Sequence, residues 1–133
     1  MKEFDIIIIG GGHAGVEAAH IGSQFKNLKI GLISLPGIGL ASAPCNPSIG
    51  GVGKGQVVRE IDAMGGIMPR IADLAGIQFR TLNESKGFAV QSTRVQIDKN
   101  LYSKYAEDEL KLINNLEIIF DKIINIQKDN SFI

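Results

Sequence analysis

Residues 4–9 read Phe-Asp-Ile-Ile-Ile-Ile, and Gly10-Gly11-Gly12-His13-Ala14-Gly15 follows at once. Four β-branched residues in a row, with no alternation, predict a strand covered on both faces, as in a parallel sheet. The turn after it satisfies G-x-G-x-x-G, and residues 14–21 are mostly small or helix-favouring. Strand, glycine turn and helix in that order constrain the chain to open as a βαβ unit. Gly10 then permits the tight turn, Gly12 lets a diphosphate approach the backbone, and Gly15 lets the helix pack closely on the strand. The helix start aims unpaired N–H groups and a positive dipole end at the phosphates. Dinucleotide binding is therefore expected at Gly10, Gly11, Gly12, His13, Ala14 and Gly15. The alternative is a purely structural glycine turn.

Residues 29–35 form a second apolar run, closed by Pro36 and Gly37. The fold class expected is α/β: a Rossmann-like FAD-binding domain with a parallel sheet and a small β-meander. The usual ribose anchor in such a fold is an acid near the end of the second strand. No Asp or Glu lies between Glu17 and Glu60, and Ser34 is the polar side chain at that strand end. A hydroxyl, the backbone or another segment must then hold the ribose. No arginine near Ser34 would suit a 2′-phosphate, so FAD is favoured over NADP.

Residues 34–55 lack periodicity and are rich in Gly, Pro, Ser and Ala; a stretch this long in a compact domain is expected to be functional. Val57, Val58, Ile61 and Met64 predict a helix stopped by Gly65-Gly66. Pro69 opens a second helix carrying Ile71, Leu74 and Ala75. Ile77, Phe79 and Thr81 alternate with Gln78 and Arg80, as in a strand with one polar face. A longer helix is expected over residues 96–113, with Ile97, Leu101, Tyr105 and Leu112 on its apolar side. Strands follow at residues 116–120 and 122–127, then a hairpin turn at Asp129-Asn130 and a returning strand from Ser131. A hairpin cut after its turn leads us to expect that residues 1–133 are the front piece of a longer polypeptide.

Fourteen basic and fourteen acidic residues cancel, so no global charge advertises a nucleic-acid or membrane partner. Residues 76–105 carry five cations against two anions, a local swing read as a solvated face. The one cysteine, Cys45, forbids an internal disulfide; with no signal-like or spanning segment, a cytoplasmic protein without a membrane partner is expected. Residues 50–55 fail as a P-loop, because Ser48 and Gly55 stand where the first glycine and the metal-binding hydroxyl belong. Pro44-Cys45-Asn46-Pro47 holds a thiol between two φ-locked residues with Lys54 downstream, either a presented nucleophile or a small half-buried side chain. His13 and His20 lack partners at metal-ligand spacing, so no metal site is expected.

Several of these segments together resemble the glucose-inhibited division protein A family. They are residues 5–15, Cys45-Asn46-Pro47-Ser48-Ile49-Gly50-Gly51 with Lys54-Gly55, Arg59-Glu60-Ile61-Asp62-Ala63-Met64-Gly65-Gly66, Gly76-Ile77-Gln78-Phe79-Arg80 and Leu82-Asn83-Glu84-Ser85-Lys86-Gly87. The resemblance implies an FAD enzyme that modifies tRNA. With a GTPase partner it would install a carboxymethylaminomethyl (or aminomethyl) group at C5 of the wobble uridine. Methylenetetrahydrofolate would supply the carbon, glycine or ammonium the amine, and NADH the reducing equivalents from a site outside this chain. A homodimer is implied when the chain is full length. By the same resemblance, Ile123 would offer a backbone contact on the adenine side and Cys45 would be the loop cysteine with a catalytic role. The chain departs from the family at Ala41-Ser42-Ala43-Pro44, where Gly-Gln-Met-Ser is typical, and at Phe88, where proline is. Alone, the 133 residues are expected to turn nothing over. A generic FAD-dependent oxidoreductase of small molecules, or an inactive dinucleotide-binding fragment, remain open alternatives.

Overall fold

The computed structural model describes residues 2–128. Its first unit is β1 (Ile6–Ile9), α1 (His13–Gly22) and β2 (Ile30–Ser34). β1 pairs in parallel with β2, and β2 pairs in parallel with β6 (Leu116–Phe120), giving the order β1-β2-β6. The expected parallel α/β opening is therefore present. β2 is the central strand, and Ile30, Gly31, Leu32 and Ser34 are buried. β1 lies at the edge instead of being covered on both faces: Ile6, Ile7 and Ile9 are exposed and Ile8 is half-buried. A continuous apolar run encodes an interior place in a sheet, and here β1 has a single neighbour. Asn115, just before β6, donates through Nδ2 to the carbonyls of Ser23, Phe25 and Leu28, which fastens the α1–β2 turn to the third strand.

A second, antiparallel sheet has the order β3-β5-β4, with β3 at Ser48–Gly50, β4 at Gly76–Leu82 and β5 at Ser92–Ile97. Helices α2 (Lys54–Ala63) and α3 (Met68–Leu74) connect β3 to β4. The antiparallel element expected late in the chain is thus built earlier: residues 122–128 form no strand, and the expected Asp129 turn and its return lie outside the described residues. The expectation also missed β5, because Ile97 was assigned to the following helix. That residue ends β5 with its side chain in the core, and Asp98 caps α4 (Lys99–Lys111) by accepting from the amides of Asn100 and Leu101 at 2.9 and 3.0 Å. Counting Ile97 as the first member of the helical stripe put that stripe out of phase. Tyr102, Ala106 and Leu110 are buried, whereas Leu101 and Leu112 are exposed. On α2, likewise, Val58 and Ile61 are half-buried while Val57 and Met64 are exposed.

One core joins both sheets, running from Val16, Ala19 and Leu32 through Ile67 and Ile71 to Val95, Ile97 and Tyr102. Glu17 reaches across it from α1 and accepts from the amides of Ile67 and Met68 at 3.0 and 2.6 Å, satisfying donors at the start of α3. The Asp98 cap does the same for α4 at the seam between the sheets. Replacing it, Asp98→Ala, is expected to destabilise the fold by about 1 kcal/mol, read as a lower midpoint in urea unfolding at unchanged slope.

A candidate dinucleotide site at the end of the first strand

The residues after β1 leave the strand through Gly10, whose φ of 112° suits glycine and whose amide donates to Ile33 O at 2.8 Å. A Cβ at Gly15 would run into the Gly10 carbonyl, and one at Gly11 into Ser34 and Leu40. These two glycines are demanded by packing. Gly12 differs: a Cβ there would meet no atom within 4 Å. No packing forbids a side chain at Gly12, so what glycine provides is open backbone. Gly12 is also the N-cap of α1, with no side-chain cap and no acid in the first turn. The donors at the helix start are therefore uncommitted.

In front of them lies a groove of about 620 Å³ lined by Gly10, Gly11, Gly12, Ser34, Leu35, Gly37, Ile38, Gly39, Ser42 and Pro44. The size is that of an ordinary ligand site. Its far wall is the 34–47 loop, which carried no periodic signal. Ala41 N donates to Gly11 O at 2.8 Å, and Ser103 of α4 donates to Leu40 O at 2.7 Å. A second cleft, of about 530 Å³, shares Gly39, Ser42 and Pro44 and continues to Lys99, Ser103 and Lys104 of α4. Sequence reasoning missed these α4 residues, since only the folded-back loop brings them near. Ser34, only 5% exposed, packs beside Gly11, and no acid lines the groove.

The expected site residues do not all converge. Gly10, Gly11 and Gly12 line the groove. His13 turns to the opposite side of the turn, its ring centroid 5.7 Å from that of Tyr102 and its Nε2 buried without a partner. His13 and Ala14 line a separate, largely apolar groove between α1 and α2 that also takes in Glu17, Ile21, Ile61 and Met64. Lys54 lines a further groove with His13 and Ile49. Cys45 is exposed, and its neighbour Pro44 lines both clefts at the mouth of the loop. Asn46 beside it accepts from Arg94 at 3.3 Å and from Ser48 at 3.4 Å. Ile123 lies in the irregular stretch after β6 and is 38% exposed. Among the described residues no group of three His, Cys, Asp or Glu is placed to hold a metal ion, and no helix is long and apolar enough to cross a membrane.

A βαβ opening whose glycine turn delivers a bare helix start to a groove at the carboxyl ends of parallel strands defines a Rossmann-like dinucleotide-binding domain. The sequence model described as "Glucose inhibited division protein A" matches residues 5–133, and the chain belongs to that family. It is 53% identical over 130 residues to the tRNA uridine 5-carboxymethylaminomethyl modification enzyme MnmG of Mycoplasma mobile, covering 97% of this chain and 21% of that protein. The structure superposes on Aquifex aeolicus GidA with a TM-score of 0.90 at 44% identity, over 96% of this chain and 21% of that one. The chain thus spans about a fifth of the length of the relatives it matches. PqsL of Pseudomonas aeruginosa, a probable FAD-dependent monooxygenase, shares the fold at a TM-score of 0.64 and 15% identity, covering 97% of this chain and 36% of that one.

Burial holds the His13 imidazole below its ordinary value of 6.5, while the Glu17 carboxylate pulls the other way. Burial, and secondarily Glu17, also pushes the Tyr102 phenol well above its usual value. The unfolded chain takes up a proton at His13 that the folded chain resists, so stability is retained above 6.5 and is lost as pH falls below it. Replacing the group, His13→Gln, is expected to shrink the fall in melting temperature between about pH 7 and about pH 5 relative to the parent. An identical fall in both proteins would contradict the assignment.

Proposed function

We propose that this chain supplies the FAD diphosphate-binding part of an enzyme that modifies the wobble uridine of tRNA at C5. The observation that carries the cofactor assignment is Gly12, where open backbone at an uncapped helix start faces a groove of ligand size. Family membership and the relatives' activity carry the rest. Bound FAD would supply redox chemistry on the one-carbon unit transferred to the uridine. The chain's own part is to bind and orient. Amides at the start of α1 hold the diphosphate, and the 34–47 loop walls the adenosine side, with Ser34 and the loop backbone serving the ribose in place of an acid. Ile123, following β6, is assigned the backbone contact on the adenine side.

Cys45 is assigned the role of nucleophile at the mouth of the site, on a loop exposed enough for a large substrate to reach its Sγ. NADH as reductant, methylenetetrahydrofolate as carbon donor, a GTPase partner, a homodimer and a cytoplasmic setting complete the reading. They rest on the family resemblance.

The test uses a chimera in which this chain replaces the matching fifth of the Mycoplasma mobile relative. The purified chimera is expected to be yellow with bound flavin, and Gly12→Glu is expected to lower flavin per polypeptide tenfold or more, a cost of about 1.4 kcal/mol or above. Undiminished flavin in the variant would remove the glycine turn from the binding site. Nucleoside analysis of tRNA from cells lacking the native enzyme, with and without the chimera, reads the activity. If the C5 modification does not return in cells that make flavin-loaded chimera, the tRNA assignment fails while the FAD assignment stands.

A further inference from the structure

The antiparallel sheet carries a charge arrangement that the nucleotide groove does not use. Its register sets Arg80 of β4 directly opposite Arg94 of β5, and Gln78 opposite Gln96. On the other side of Arg94 stands Gly50 of β3, which offers no side chain to cover it. Like charges placed directly across two strands destabilise a sheet unless something neutralises them. Among the described residues neither guanidinium has a carboxylate within ion-pair distance, and both arginines are exposed. The bond that Arg94 makes within the chain goes to Asn46, next to Cys45. A guanidinium has five donors in a rigid fork suited to phosphate, and among the described residues most of the donors in the pair meet no partner. Gln78, Leu82 and Gln96 complete a shallow groove of about 170 Å³ around the two arginines.

We infer that this sheet face binds the phosphate backbone of the RNA substrate. The inference rests on the tRNA reading above and deepens it by naming a surface. Two fixed positive charges without a protein counter-charge complement a polyanion, and a strand-borne pair holds its spacing when the ligand arrives. The Arg94–Asn46 bond makes the face continuous with the Cys45 loop, so RNA held there passes beside the mouth of the cofactor site.

The test measures tRNA binding by the chimera over a range of salt concentrations. The variants are Arg80→Gln, Arg94→Gln, the double variant and Arg80→Lys. Each glutamine variant is expected to weaken binding several-fold and to make the negative slope of log affinity against log salt shallower by roughly 0.7 to 1. Arg80→Lys is expected to keep the slope, because its charge remains. Flavin content and melting temperature are expected to stay at parental values or rise, since a repulsion is removed. An unchanged affinity and slope in the double variant overturns the proposal. So does a clear drop in melting temperature with an unchanged slope, which would mean that the arginines pair with an acid elsewhere in the full-length chain. If the parent chimera itself binds no tRNA, the functional reading falls and this inference with it.

Discussion

At the end of β1 the helix α1 packs directly on the strand. Gly15 faces the Gly10 carbonyl so tightly that no Cβ fits between them. Everything at the site follows from that contact. It brings the first turn of the helix down onto the strand end, aims its uncommitted amides into one groove, and leaves Gly12 as bare backbone at the rim. A helix start displaced by a single side chain would still be a helix start, but it would no longer meet the groove that β2 and the 34–47 loop enclose. Close-packed interiors transmit such shifts instead of absorbing them.

The second sheet is what keeps that groove in place. The loop that walls it is pinned at its middle, through Ala41 to Gly11 and through Leu40 to Ser103 of α4. α4 in turn is started by Asp98 at the end of β5, whose amide donates to Ala75 O at 2.9 Å. Glu17 ties α1 to the start of α3 over the same core. The Rossmann-like opening and the antiparallel sheet therefore form one packed body, and the site depends on both. It also explains why His13 sits where it does: the turn that presents Gly12 to the groove sends the next side chain inward, against Tyr102.

The βαβ opening, the glycine turn, α3 behind Pro69, β4 and β6 were legible in the residues, because each is a local pattern with its own start or stop signal. What was not legible depends on partners distant in sequence. β3 is three residues long and contains a glycine, so it has no period of its own and exists only by pairing with β5. β5 was hidden because Ile97 fits a helical stripe as well as a strand, and the Asp98 cap decides between them. The stretch 34–47 declared itself functional by lacking a pattern, yet its path along α4 could not be read from it. The opposition of Arg80 and Arg94 was invisible for the same reason. Charge counting sees two cations fourteen positions apart in the sequence, whereas the hairpin register makes them neighbours.

The proposed function stands on open main chain at the start of α1 gripping a cofactor diphosphate. The most direct measurement is a structure of the flavin-loaded chimera. Phosphate oxygens are expected within hydrogen-bond distance, about 3 Å, of amides in the Gly12 turn and the first turn of α1. A diphosphate seated against the 50–55 loop, or in the apolar groove between α1 and α2, with the Gly12 turn left bare, would contradict it.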